Sequence, residues 1–516
     1  MKRHFHSMAR RWIRTGFPDK AIQYHPYFPC RSKAQILELR GSWEQAEKLY
    51  STNLAKASAE EHPQLWAEAK NDQAGMMIKR GRYQEALASA GEALEACRRI
   101  PAPAGEWQAL SHLGQVCRNQ GRNAEALEYY RRCLDIVERT GDLQLKAKTQ
   151  ADIGVFYYTQ SEYGKAEQAY FTALEIVTMA GDQSMTARIL NNLGIIRQQL
   201  CDYEKALGYY QKALAIVRSM GDKQAVSQGL SNIGSLHYLN NDPGSALCCF
   251  REFLKIAEEI GDQRGICQAM GNIGVIVLDQ NDFQTAKDCF HRYQDIAQSI
   301  GDKRGTAIAL TNIAGIMAME GEYGPAAETY QRILMLFKEL GDKKSLSYAL
   351  GQLAGVRKAT GDRTAAEGLY RQAIELSREL KLKYYLCDQL CELAELRFHT
   401  AGADAAEECV SEAGAMAGEI KRDDVVFNCQ LLRARMTAPR DAGRAIASLD
   451  SMRTADLDAE LQAEIDYQIF LVNGCRKAGA RAREYYHDKF YRQKVPKIRY
   501  RERAEAITAA LNLRND

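Results

Sequence analysis

"GNIGVIVLDQND", residues 271–282, has counterparts at a fixed stride on both sides. Forty residues upstream the chain reads "SNIGSLHYLNND" (231–242), and forty before that "NNLGIIRQQLCD" (191–202). Forty downstream it reads "TNIAGIMAMEGE" (311–322). Each copy keeps Asn, then Ile or Leu, then Gly or Ala. Self-similarity at a fixed period means that one small unit, repeated, decides the fold, so the unit is read before any local motif. At 516 residues the chain is also too long for one compact core, which stops growing near ~250–300 residues.

The strongest marker of the period is alanine. Ala46, Ala86, Ala126, Ala166, Ala206, Ala246, Ala286, Ala326, Ala366 and Ala406 stand in phase without slippage. Four residues after most of them comes a ring: Tyr50, Tyr130, Tyr170, Tyr210, Phe250, Phe290, Tyr330 and Tyr370. Residues at i and i+4 share one helix face, so the alanine admits a close partner helix and the ring fills the space beside it. "GD" at 141, 181, 221, 261, 301 and 341 closes six units. Gly suits the left-handed residue that ends a helix, and Asp caps the next one. A second break, such as "NDP" (241–243) or "GEY" (321–323), halves each unit. In the first of these, Asp242 and Pro243 read as N-cap and first helical residue. The spacing predicts two antiparallel helices of about four turns per unit. No segment shows sustained strand alternation.

An aliphatic–Gly/Ala pair, Ala twelve residues on and Tyr or Phe four later resembles the tetratricopeptide repeat. The long period with "GD" and "NLG" is most similar to a subgroup that includes Leu-Gly-Asn-repeat scaffolds and the repeat regions of bacterial signalling proteins. "LKLKYYLCDQLCELAEL" and the ending "KVPKIRYRERAEAI" are similar to C-terminal portions of the bacterial group. The resemblance covers residues 33–440 and implies an all-α, right-handed superhelical α-solenoid whose first helices line a concave groove. The expected organisation is a basic, aromatic arm or cap over 1–32, about ten repeat units over 33–440, and an irregular helical cap with a basic tail over 441–516.

With the Gly or Ala of each first helix as position 8, the recurrent Asn is position 6: Asn192, Asn232, Asn272 and Asn312. Positions 2, 5, 6, 9, 12 and 13 form one helical face, which the resemblance places in the groove. An amide offers two donors and an acceptor, a match for the backbone of an extended peptide. The alternative is that each Asn only bonds a neighbouring loop or helix. His112, Asp152, Gln352 and Glu392 interrupt the series. Elsewhere on the face stand Tyr158, Ile195, Tyr238, Leu239, Val275, Leu278 and Met319. Arg118, Lys148 and Arg188 come early, and Asp279, Asp388, Glu392 and Glu395 late. The groove reads as basic at its start, apolar in the middle and acidic at its end. Position 5 never holds the lysine of repeats that clamp a C-terminal carboxylate, which argues against a chaperone-tail clamp.

No GxGxxG, P-loop, GxSxG or HExxH is present, so no catalytic activity, cofactor or metal is expected. Cys387 and Cys391 lie four apart, but the position that would complete an iron–sulfur spacing is Ala394. Cysteines such as Cys117, Cys133, Cys248, Cys267 and Cys289 fall inside predicted helices as small hydrophobes, which points to a reducing cytoplasm. No apolar run approaches the roughly 18 residues of a membrane span. The net charge of +3 hides basic ends, net +7 over 1–40 and +7 over 473–516, around an acidic body of −11. Phe5, Met8, Trp12 and Ile13 beside Arg10, Arg11 and Arg14 suit an anionic surface, a transit peptide, a docking helix or a disordered arm. The expected function is a monomeric protein-interaction scaffold or adaptor with a peptide or helix in its groove. The alternatives are an accessory subunit that gates a separate enzyme, and nucleic-acid binding through the basic ends.

Overall fold

The computed structural model describes residues 43–56, 63–100, 102–454, 457–493 and 497–512. The basic arm expected over 1–32 lies outside them. Among the described residues there are 24 α-helices, one short π-helical turn (Asp488–Arg492) and no strand. The helices pair antiparallel in an all-α solenoid. They fall into two compact units, one up to Ala269 and one from Met270.

The pair Gln183–Gln199 and Tyr203–Ser219 shows how each repeat is made. Gly181, at φ +67°, ends the preceding helix in the left-handed region. Asp182 then caps the first helix, its carboxylate accepting from Met185 N at 3.0 Å. Asp222, Asp302 and Asp342 cap later first helices in the same way. The break inside each unit is built differently. There the left-handed residue is often not glycine: Ser161, Cys201, Asn241 and Asn281 have positive φ, and Lys381 and Lys421 do so between units, where the earlier repeats use the Gly of GD. A β-carbon in that region costs about 1–2 kcal/mol, so these turns are held by the helices they join.

All ten in-phase alanines are fully buried, and the eight rings that follow them are at most 2 % exposed. The seven rings from Tyr130 to Tyr370 each meet a small residue of the partner helix. A β-carbon on Gly154 would stand 2.7 Å from Cε1 of Tyr170, and one on Gly274 would stand 2.8 Å from Cε1 of Phe290. Where position 8 is Ala314 or Ala354, glycine has moved to position 9. The hydroxyl of Tyr330 then sits 3.7 Å from the β-carbon position of Gly315, and that of Tyr370 sits 3.6 Å from that of Gly355. Two adjacent positions thus share the task of admitting the ring. Burying a side chain of this kind contributes about 1.5–3 kcal/mol.

In the second unit the regular stride ends with Asp423–Thr437, and the short helix Ala442–Ser451 follows. Ala459–Asn473, Arg476–His487 and Ile498–Asn512 then gather around Tyr486 and Tyr500, stacked with centroids 5.9 Å apart. The last helix also reaches back to the first repeats of this unit. Gly321 ends the helix Lys303–Glu320 at φ +87°, and its β-carbon position lies 3.1 Å from Cγ1 of Ile498. Nearby, Glu502 acts electrostatically on Tyr323, and Asp279 on Lys497.

Candidate functional site

In the first unit, the position-6 residues are tied into the protein in different ways. His112 is held neutral: burial, with Lys79 adding to it, lowers its pKa to about 4. Asp152 accepts from Ser111 Oγ at 2.8 Å. Burial pushes the Asp152 carboxyl up, while Ser111, Arg118 and Arg188 work against that shift. Asn192 hydrogen-bonds the hydroxyl of Tyr170, the ring on the second helix of the preceding pair. Asn232 donates Nδ2 to Oδ1 of Asn191, on the preceding first helix, at 2.6 Å. Gln228 donates to Oδ1 of Asn232 at a long 3.4 Å. These bonds leave Asn232 one amide hydrogen and part of its acceptor capacity. The series therefore has a structural use inside the chain, whatever it offers a ligand.

Around these residues, Lys148 and Arg188 are exposed, and Lys148 Nζ lies 5.9 Å from the centre of the Trp107 ring. Tyr158 and Ile195 are half-buried, the Tyr158 ring tilted against Tyr163 at 5.9 Å. Tyr238 and Leu239 are 37 % and 52 % exposed. Large apolar groups are usually covered, so this pair stands out on the first-helix face.

In the second unit, Asn272, Val275 and Leu278 are half-buried, and Met319 is exposed. Asn312 turns one amide hydrogen to the carbonyl of Ile308 on its own helix, at 3.2 Å. Asp388, Glu392 and Glu395 prove not to be unpaired. Lys358 reaches Glu392 at 2.6 Å and Glu395 at 2.7 Å. Arg435 meets Glu395 at 3.2 Å, and Arg422 joins Asp388 at 2.9 Å to Asp424 at 2.7 Å. Burial opposes the charge on Glu395, but Lys358 and Arg435 outweigh it and hold the carboxyl at about 2. Each cation comes from a neighbouring first helix or its cap, so the carboxylate's own helix does not show the pairing. Lys358, at position 12, is nevertheless on the same face by spacing.

One cavity of about 350 Å3 opens on this face. It is lined by positions 2, 5, 6 and 9 of successive first helices: Tyr348, Gly351, Gln352 and Gly355, then Asp388, Cys391 and Glu392, then Asn428. Tyr370, Tyr385, Gln389 and Val425 complete the wall. The space exists because glycine holds both position 5 and position 9 in Lys343–Ala359. β-carbons there would meet only ordinary contacts, with Gln389 at 3.5 Å and with the hydroxyl of Tyr370 at 3.6 Å.

At the C-terminal end, the interleaved aromatics and bases form a core. Tyr486 and Tyr500 are buried, and Arg499 and Arg503 pair with Glu460 and Glu464. That leaves the nucleic-acid reading without stacking rings at these two tyrosines. Cys391 lies 3.8 Å, sulfur to sulfur, from Cys429. Among the described residues no group of three or more His, Cys, Asp or Glu could hold a metal ion, and no helix is long and apolar enough to cross a membrane.

Sequence models described as tetratricopeptide repeats match residues 106–179, 185–259, 265–339 and 349–384, together just over half of the chain. The chain belongs to the tetratricopeptide-repeat family. No curated protein sequence matches this repeat protein. Among solved structures, the apo form of RapI is 13 % identical over 69 % of this chain and 98 % of its own, with a TM-score of 0.54, a likeness of fold. BtubC from P. vanneervenii is 26 % identical over 42 % of this chain and 92 % of its own, with a TM-score of 0.39. A signal-transduction ATPase with a tetratricopeptide-repeat sensor, from Pyrococcus horikoshii, is 19 % identical over 61 % of this chain and 49 % of its own, with a TM-score of 0.47.

Proposed function

We propose that this tetratricopeptide-repeat protein is a non-enzymatic scaffold or regulatory adaptor. It works in the cytoplasm as a monomer and holds an extended peptide or amphipathic helix of a partner against its first-helix faces. The observation that carries this reading is the exposed pair Tyr238 and Leu239 on the helix Lys223–Leu239, the helix whose Asn232 keeps unused hydrogen-bonding capacity. An apolar centre with polar groups around it is the usual division of labour in an interface. Asn192, Asn272 and Asn312, with Ile195, Val275, Leu278 and Met319, extend the same pattern, and Lys148, Tyr158 and Arg188 supply a basic, aromatic approach.

The test is selection of displayed random peptides on the intact protein, followed by affinity measurement on a Tyr238→Ser/Leu239→Ser variant. The variant should keep its helical signal and lose most of the affinity. Binding that is unchanged by these substitutions, with salt dependence as steep as that of phosphate contacts, would place the ligand elsewhere.

A further inference from the structure

We propose that the cavity at Gly351 and Gly355 is a pocket for an arginine side chain of the partner. This rests on the groove-binding reading and adds the chemistry of one subsite. Asp388 and Glu392 line the cavity, and no cation does. Lys358 and Tyr370 both bond Oε2 of Glu392, at 2.6 and 3.3 Å, and neither bond falls on Oε1. Arg422 donates to both oxygens of Asp388, at 2.9 and 3.3 Å, and each carboxylate oxygen has more than one lone-pair direction. The pocket thus holds acceptors fixed in place by neighbouring helices, with acceptor capacity left for an incoming donor.

Its walls favour a flat cation over a compact one. Tyr348 and Tyr385 stand with centroids 5.5 Å apart and ring planes 45° apart, and Tyr348 is 39 % exposed. A guanidinium stacks on such rings and forks its donors onto a carboxylate, whereas an ammonium is a strongly hydrated point charge. The two glycines leave a bare floor beneath, over which a planar group can slide. The structure already contains this pairing of groups: Arg422 lies 3.9 Å from the centre of the Tyr384 ring while bonding Asp388 and Asp424.

The probe is the capped tripeptide acetyl-Gly-Arg-Gly-amide, titrated into the full chain and followed by ligand-observed NMR. The counterparts carrying citrulline or lysine are run beside it. Citrulline has the shape of arginine without its charge, and at least about a tenfold weaker binding is expected for it. Lysine should fall between the two. Glu392→Gln should weaken arginine binding by a similar factor and leave the citrulline peptide unchanged. Gly351→Leu should fill the cavity and abolish binding while the melting temperature holds or rises, because glycine is a poor helix former. Equal binding of arginine and citrulline, no binding of arginine at all, or arginine binding untouched by Gly351→Leu would overturn the pocket. Such a failure would leave the scaffold reading standing, because that is tested at Tyr238 and Leu239 in the other unit.

Discussion

Tyr210 rests its ring against the bare Cα of Gly194, with only 2.5 Å between its Cε1 and the point a β-carbon would occupy. The same second helix carries Gly208, around which nothing lies within 4 Å. Opposite outcomes are therefore expected from one substitution. Gly194→Ala should destabilise by about 1–3 kcal/mol through overpacking, less up to about 1 kcal/mol regained from helix propensity. Gly208→Ala should stabilise by up to about 1 kcal/mol. Denaturant midpoints of the two variants check this, and two shifts of the same sign would refute it.

Ala206 is fully buried between its helices. Ala206→Leu adds methylenes where no space exists and should lower stability by about 1–3 kcal/mol. An unchanged melting temperature would mean that the neighbouring helices separate without cost.

Lys381 holds a left-handed backbone at φ +55° in a turn where the GD turns use glycine. Lys381→Gly should raise stability by about 1 kcal/mol by removing the β-carbon conflict. Gly301→Ala, at φ +70°, should lower it by a similar amount. Thermal melts of the pair give the comparison.

His112 lies beside Gly75, whose β-carbon position is 3.3 Å from the imidazole, and its Nδ1 has no hydrogen-bond partner. Burial lowers its pKa from the usual 6.5 to about 4. The unfolded chain takes up a proton below pH 6.5 that the folded chain refuses until about pH 4. The stability contribution is therefore whole above pH 6.5 and falls as pH drops toward 4, by up to roughly 3 kcal/mol. His112→Phe should flatten that part of the pH profile, and parallel profiles for the two proteins would count against the buried neutral imidazole.

Asn191→Ala and Asn232→Ala, alone and together, separate the two uses of the asparagine series. If the Asn191–Asn232 bond is chiefly structural, each substitution should cost about 0.5–1.5 kcal/mol, and the double variant little more than one single. If a partner also uses the amide, Asn232→Ala alone should weaken binding of a selected peptide while Asn191→Ala spares it.

The helix pairs were legible in the sequence because one contact, ring on small residue, recurs at a fixed stride and fixes both partners' spacing. Asp182 and Gly181 could be assigned as cap and stop because each role admits few residue types. The pairing of Glu395 with Lys358 and Arg435 was not legible, since it depends on which side chains of three successive first helices face one another. The cavity was hidden for a similar reason. Gly351 and Gly355 look like ordinary helix residues until their neighbours' rings are placed. The commitment of Asn232 to Asn191 was in the sequence as the "NN" of residues 191–192, but nothing in one helix says which of two adjacent amides its neighbour will choose.

Ile498 against Gly321 gives the second unit a property that a plain stack of repeats lacks. Repeats that touch only their neighbours can unzip from an end one pair at a time. Here the final helix is clasped to a turn among the first repeats of its unit, so peeling it away also strips the cover from the turn after Glu320. Trimming the tail with a protease would therefore be felt inside the unit, at a place far from the cut along the chain.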